Sequence, residues 1–220
     1  MLKSNISDLL YSVLPGLVAF IALTLNLYRS VPGRFIIILL VLHFLIEMTA
    51  LVWYELTIPG YNVFLNSIYD ISVTLIITTM IYQFTNKNRF TLILGLFFLS
   101  LVCFFIFFVE GFSAYAPIAY SIQEFGIIAL CLSYFWYVFN NETDLFVENK
   151  IEFVTVCVLL VLNCGSLFTS IMILQITQDK ESYQLYDLQI LLDSIANIAL
   201  FIILGRIYWL QKTGTRIRKV

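Results

Sequence analysis

The chain has 220 residues, of which 61% are hydrophobic and only 12% charged, about half the charged share of a soluble globular domain. A soluble core could not bury so much apolar side chain; the formal net charge of −2 says little beside this, because the signs are sorted by side, and no nucleic-acid partner is expected. The apolar residues come in long blocks separated by short polar breaks, the pattern of a polytopic membrane protein folded as a single domain over 1–220.

Each block is long enough to cross the hydrocarbon core of a bilayer, which takes about 20 residues as a helix. The blocks are continuous, without the apolar/polar alternation of barrel strands, so the expected fold is all-α, a bundle of seven transmembrane helices. The first block, 9–28, follows Lys3 but exceeds the length of a signal-peptide core. It ends in "NLYRS" with no small-x-small cleavage site, which reads as a spanning helix. Pro15 and Gly16 interrupt it; proline frees the carbonyl of Tyr11, and the reading is a packing kink.

After the breaker "SVPGR", the second block, 35–56, carries His43 and Glu47 one turn apart on one face. "TIPGY" leads to the third, 62–84, where Asn62, Asn66, Asp70, Thr74 and Thr78 each follow the last by four residues, a polar stripe along a slowly drifting face. "TNKNR" separates it from the fourth, 90–109. The fifth, 116–139, holds Glu124 in "YSIQEFG", and the acidic "NNETDLFVENK" reads as a solvated connector to the sixth, 151–176. The seventh, 185–210, repeats the polar spacing with Gln189, Asp193 and Asn197. Cys103, Cys131, Cys157 and Cys164 fall within helices as small apolar residues, with no disulfide or zinc framework. Trp53, Trp136 and Trp209 lie near helix ends, the place of an interfacial belt.

Lys and Arg sort by side. Arg29, Arg34, Lys87, Arg89, Lys150, Lys212, Arg216, Arg218 and Lys219 fall in one set of alternate connections, and only Lys3 and Lys180 in the other. Cytoplasmic loops hold the basic excess, so the N-terminus is expected outside and the C-terminus in the cytoplasm, in the cell or plasma membrane. The tail of about ten residues is too short for a soluble catalytic domain. A signal would therefore have to pass through a cytoplasmic or membrane partner, and an enzymatic role is not the leading expectation.

Under that topology Asp70, Glu124, Asp193 and Glu47 lie eight or nine residues from the outer ends of their helices, roughly 12 to 14 Å below the surface at the helical rise. His43 is one turn deeper. A charge facing lipid at that depth costs about 2.5 to 3.5 kcal/mol on insertion scales, so these groups should face the interior together with Asn66 and Asn197. The buried basic candidates are His43 and Arg206, too few to balance the acids. A bound cation, a basic ligand group or retained protons are expected to supply the difference.

The pattern predicts an outward-facing acidic pocket, with Glu47, Asp70, Glu124, Asp193, Asn66, Asn197 and His43 as its ligand-binding residues. The leading function is a sensor or receptor-like subunit for a small polar or cationic ligand. The alternatives are an ion- or proton-coupled small-solute transporter and an intramembrane metal-dependent hydrolase with His43, Glu47 and Asp70 as metal ligands. Covalent retinal is excluded, because it needs a lysine in the seventh helix and none precedes Lys212 there.

Overall fold

The computed structural model of the chain describes residues 6–55, 62–112, 116–141, 150–176 and 182–213, with side chains described at 12–52, 64–112, 116–141, 150–171, 195 and 198–213. Among these residues seven α-helices follow one another: α1 Ile6–Thr24, α2 Val31–Glu55, α3 Asn62–Phe84, α4 Arg89–Phe104, α5 Pro117–Asn141, α6 Ile151–Ile176 and α7 Ser182–Lys212. A 3-10 turn, Leu27–Arg29, joins α1 to α2, and α4 continues as a π-helical turn, Phe105–Glu110.

The helix bounds follow from local chemistry. α3 and α6 coincide with the apolar blocks, whereas α2 begins four residues before its block. Ser30 Oγ accepts the Gly33 N–H at 3.2 Å, the side-chain cap that nucleates a helix. Pro32 sits in the first turn, where a missing N–H leaves nothing unpaired. "SVPGR" is thus a helix start as well as a break. α1 stops at Thr24, and Asn26 turns the chain with φ 58, a left-handed conformation that asparagine tolerates. Pro15 does not end α1; the helix runs through it, and the Phe44 ring of α2 lies over Gly16.

At the other end of the molecule α3 and α4 are joined by a closed turn. Lys87 N–H bonds Tyr82 O at 2.8 Å and Asn86 N–H bonds Gln83 O at 3.3 Å, with Asn86 and Lys87 at φ 51 and 64. This pair of bonds is a Schellman termination with asparagine in the usual glycine position. Asn88 then caps α4 by accepting the Phe90 N–H at 2.9 Å. Asn86 Nδ2 also donates to Tyr137 Oη at 2.6 Å, tying the turn to the end of α5.

Each helix packs on its neighbours in sequence, α3 also meets α5, and α7 returns to α1 and α2 to close the ring. One apolar core lies among α2, α3, α5 and α6, around Phe35, Ile77, Met80, Leu130, Tyr134 and Val156. A second joins α1, α2, α6 and α7 through Ala19, Ile36, Leu40, Leu204 and Ile207. Val102, Ile106 and Ala119 form a third between α4 and α5.

The surface is inverted relative to a soluble protein. Phe108 is 80% and Phe139 77% exposed, while Ser67, Thr74, Thr78, Thr155 and Thr169 are buried. Hydrophobic contact with solvent on this scale suits a hydrocarbon surrounding. Val31–Val52, Phe64–Phe84, Arg89–Glu110, Pro117–Asn141 and Ile151–Ile171 are each long and apolar enough to cross a membrane, and the described apolar part of α1, Ser12–Thr24, is shorter. The molecule is read as a membrane-embedded helical bundle.

α3 and α4 approach closely because Gly95 presents no side chain to Thr78; a Cβ at Gly95 would collide with the Thr78 Cγ2 and Oγ1. Small residues at helix crossings allow such approach. Gly95→Ala should therefore destabilise the protein by about 1 to 3 kcal/mol, the usual cost of overpacking. Adding Thr78→Ala should recover part of that loss in thermal unfolding of the detergent-solubilised protein, and strict additivity of the two changes would contradict the contact.

Candidate functional site

The polar interior is organised around the start of α5. Ala116 precedes that helix without a side chain able to cap it, and Pro117 at its first position has no N–H. Tyr120 N–H already bonds Ala116 O at 3.0 Å. The open donors of the first turn are then Ile118 and Ala119, and both go to one carboxylate: Ile118 N–H to Glu110 Oε1 at 2.8 Å and Ala119 N–H to Glu110 Oε2 at 2.9 Å. The negative charge also faces the positive end of the α5 dipole. Glu110 reaches this place because the last turn of α4 widens to π geometry, which shifts the side chains that follow it. Gly111 then leaves the helix at φ 93, in the region that favours glycine.

Asp70 lies beside this cap. It is 6% exposed, and Glu110 is near enough to act on it electrostatically. One turn earlier on α3, Ser67 is buried and donates from Oγ to Phe112 O at 3.3 Å, fastening the α4–α5 corner to α3. One turn later, Thr74 Oγ1 donates to the carbonyl of Asp70 at 2.7 Å. No cationic side chain among the described residues pairs with Asp70.

Glu124 is 2% exposed and faces α6, where Ser170 Oγ donates to its Oε2 at 3.1 Å. The same hydroxyl lies 2.8 Å from Ser166 O, and Ser166 and Thr169 are buried beside it on α6. Gln123, the residue before Glu124, is 3% exposed, and its Oε1 has no hydrogen-bond partner. Successive helical residues point about 100° apart, so α5 presents polar groups toward two neighbours at one level.

The predicted site residues do not all converge. His43 is buried on α2 and meets Tyr69 of α3 edge-on, with ring centroids 6.0 Å apart. Glu47, one turn on, is half-buried, and Asn66 is exposed. The four-residue stripe drifts by about 40° per step. Thr78 therefore reaches α4 at Gly95, and Ser67 rather than Asn66 continues the buried face above Asp70. The side chains of Asp193 and Asn197 lie outside the described residues, as does Gln189. Arg206 is exposed and does not balance the acids. Among the described residues no three His, Cys, Asp or Glu side chains form a group able to hold a metal ion, so His43, Glu47 and Asp70 are not assembled as a ligand set. All four cysteines are free.

Glu110, Gln123, Ser67 and Ser170 were not singled out from the sequence. Glu110 stands just past the fourth apolar block, and the available signal was Pro117 preceded by Ala116, a helix start with no capping residue of its own. Glu110→Ala should lower stability by about 1 to 3 kcal/mol, through loss of the cap. Glu110→Gln, which keeps one acceptor oxygen, should lose less. Thermal unfolding in detergent measures both, and an unchanged midpoint for Glu110→Ala would exclude the cap as a source of stability.

Comparison with protein-family models, with curated proteins and with solved structures returns no match to this chain.

Proposed function

We propose that the chain is a seven-span protein of the cell membrane, N-terminus outside and C-terminus in the cytoplasm, that binds a small polar or cationic ligand from the outer side and acts through a partner. The observation that carries this reading is the burial of Asp70 and Glu124 inside helices apolar enough to cross a membrane. Ionisable side chains in such segments are costly and mark binding or conduction sites. Other buried polar side chains accompany the two acids: Ser67 on α3, Gln123 on α5, Ser166 and Ser170 on α6. Interhelical hydrogen bonding accounts for Ser170 and Glu124 but supplies no counter-charge for Asp70.

The orientation rests on the basic residues of the described turns. Arg29, Arg34, Lys87, Arg89 and Lys150 all lie on the side of the α1–α2, α3–α4 and α5–α6 connections, the side expected to face the cytoplasm. Asp70, Glu110 and Gln123 belong to the opposite half of their helices, so on this reading recognition is at the outer surface and the inner surface is left to a partner.

Accessibility tests the reading. In a background with the four native cysteines replaced by alanine, Asn66→Cys, exposed on the outer half of α3, should react with a membrane-impermeant maleimide added to intact cells, and Asn86→Cys only after permeabilisation. Among methylammonium, putrescine, free amino acids and glucose, one class should protect the purified protein against thermal unfolding, with the protection lost in Glu124→Gln. Labelling of Asn86→Cys in intact cells would reverse the orientation, and absence of protection by any class would remove the receptor reading. Accumulation of the protecting compound inside proteoliposomes would identify a transporter instead.

A further inference from the structure

The last helix carries charge of one sign. Between Asp193 and Val220 the sequence has no Asp or Glu, whereas Arg206, Lys212, Arg216, Arg218 and Lys219 all fall there. A chain of net charge −2 thus holds a basic segment along and just beyond one end of one helix. Lys212 stands in the last turn of α7. Arg206 lies six residues further in, about 9 Å along the axis at the helical rise.

The packing of α7 decides where Arg206 stands. Ile203, Leu204 and Ile207 are buried in the core shared with Leu27, Ile36 and Leu40. Positions 202, 205, 206 and 209 then fall on the outward side of the helix. Their exposures agree: Ile202 is 68% and Trp209 62% exposed, and Gly205 and Arg206 are exposed with them. Among the described residues no side chain pairs with Arg206. A Cβ added at Gly205 would meet nothing within 4 Å, so the backbone there floors an open notch beside Arg206. Trp209 follows Arg206 by three residues and Lys212 follows Trp209 by three, which makes them neighbours along one slanted row. Arg29, exposed on the turn after Leu27 that touches α7, adds positive charge at the same end. Glu152, in the first turn of α6, is the acidic side chain described there.

We propose that Arg206, Trp209 and Lys212 bind the headgroup of an anionic phospholipid in the leaflet that surrounds the C-terminal end of α7. The inference rests on the membrane reading given under Proposed function, by which that leaflet is the cytoplasmic one, and goes beyond it, because this site faces lipid and not the bundle interior. The neighbours select the occupant. Ile202 and Trp209 need hydrocarbon against them, so the group that meets Arg206 must bring acyl chains with it. It must also be negative, since an arginine facing lipid reaches toward the headgroups for a partner. A phospholipid phosphate meets both demands. The planar guanidinium donates parallel hydrogen bonds to its oxygens, Lys212 adds a second charge nearer the surface, and an indole belongs at headgroup level. Phosphatidylcholine offers the same phosphate beside a positive charge of its own, which Arg206 and Lys212 repel.

The test is tryptophan quenching of the full chain in phosphatidylcholine vesicles, with Trp53→Phe and Trp136→Phe leaving Trp209 as the fluorophore. Brominated phosphatidylglycerol or brominated phosphatidylcholine is included at equal mole fraction. The anionic lipid should quench Trp209 as though enriched roughly fivefold around it, the equivalent of one basic side chain at a charged interface. Arg206→Gln should bring the two lipids level, Arg206→Lys should keep part of the preference, and Arg89→Gln, an exposed base at the same end of α4, should leave it intact. Lys212→Gln should lower the preference and carries the test if Arg206→Gln fails to fold. Equal quenching by both lipids, or a preference that survives Arg206→Gln, would overturn the site. Weak quenching by both would mean that a protein surface covers this face, and would overturn it too. Labelling of Asn86→Cys in intact cells would move the site to the other leaflet without removing it, so the orientation and the lipid site fail separately.

Discussion

Hydrocarbon offers no hydrogen bonds, and most of what is seen in this chain follows from that constraint. Backbone groups must be satisfied within helices, and polar side chains must turn toward one another or toward their own backbone. The hydroxyls of Thr74 and Thr155 bond carbonyls four residues earlier in their own helices. These groups need no partner on another helix. The groups that cannot be silenced locally are the longer ones, Asp70 on α3 and Gln123 and Glu124 on α5. Chemical interest concentrates there because self-satisfaction fails there.

The two ends of the bundle solve the problem of helix termini differently. At the α3–α4 turn the helix ends are closed locally, by a Schellman termination and an Asn88 cap, and Asn86 also donates to Tyr137 of α5. At the α4–α5 corner the cap comes from the preceding helix, carried by a π turn and released by Gly111. The first arrangement satisfies the helix ends with uncharged groups, and the second with a carboxylate.

The helices were legible in the sequence because a membrane demands length and apolarity, and both are visible one block at a time. Boundaries were missed where a side chain overruled composition. "SVPGR" looks like a break, yet Ser30 caps forward onto Gly33 and pulls the start of α2 back to Val31. Asp70 and Glu124 could be found because a buried carboxylate is conspicuous in an apolar run. Asn66 misled, since a spacing of four wanders around a helix of 3.6 residues per turn, and Ser67 holds the buried position instead. Glu110 was hidden by distance: it serves amides eight and nine residues ahead on another helix, and no local pattern announces such a bond. Gln123 drew no attention beside its acidic neighbour, although it is the group whose buried oxygen has no donor.

The carboxylate of Glu110 also sets the lengthwise register of α5. It grips two adjacent amides, Ile118 and Ala119, and the residue just ahead of them is a proline. If α5 slid by one residue so that Pro117 took the place of Ile118, one oxygen would meet a ring in place of an amide hydrogen. Pro117 therefore behaves as a pawl against translation in that direction.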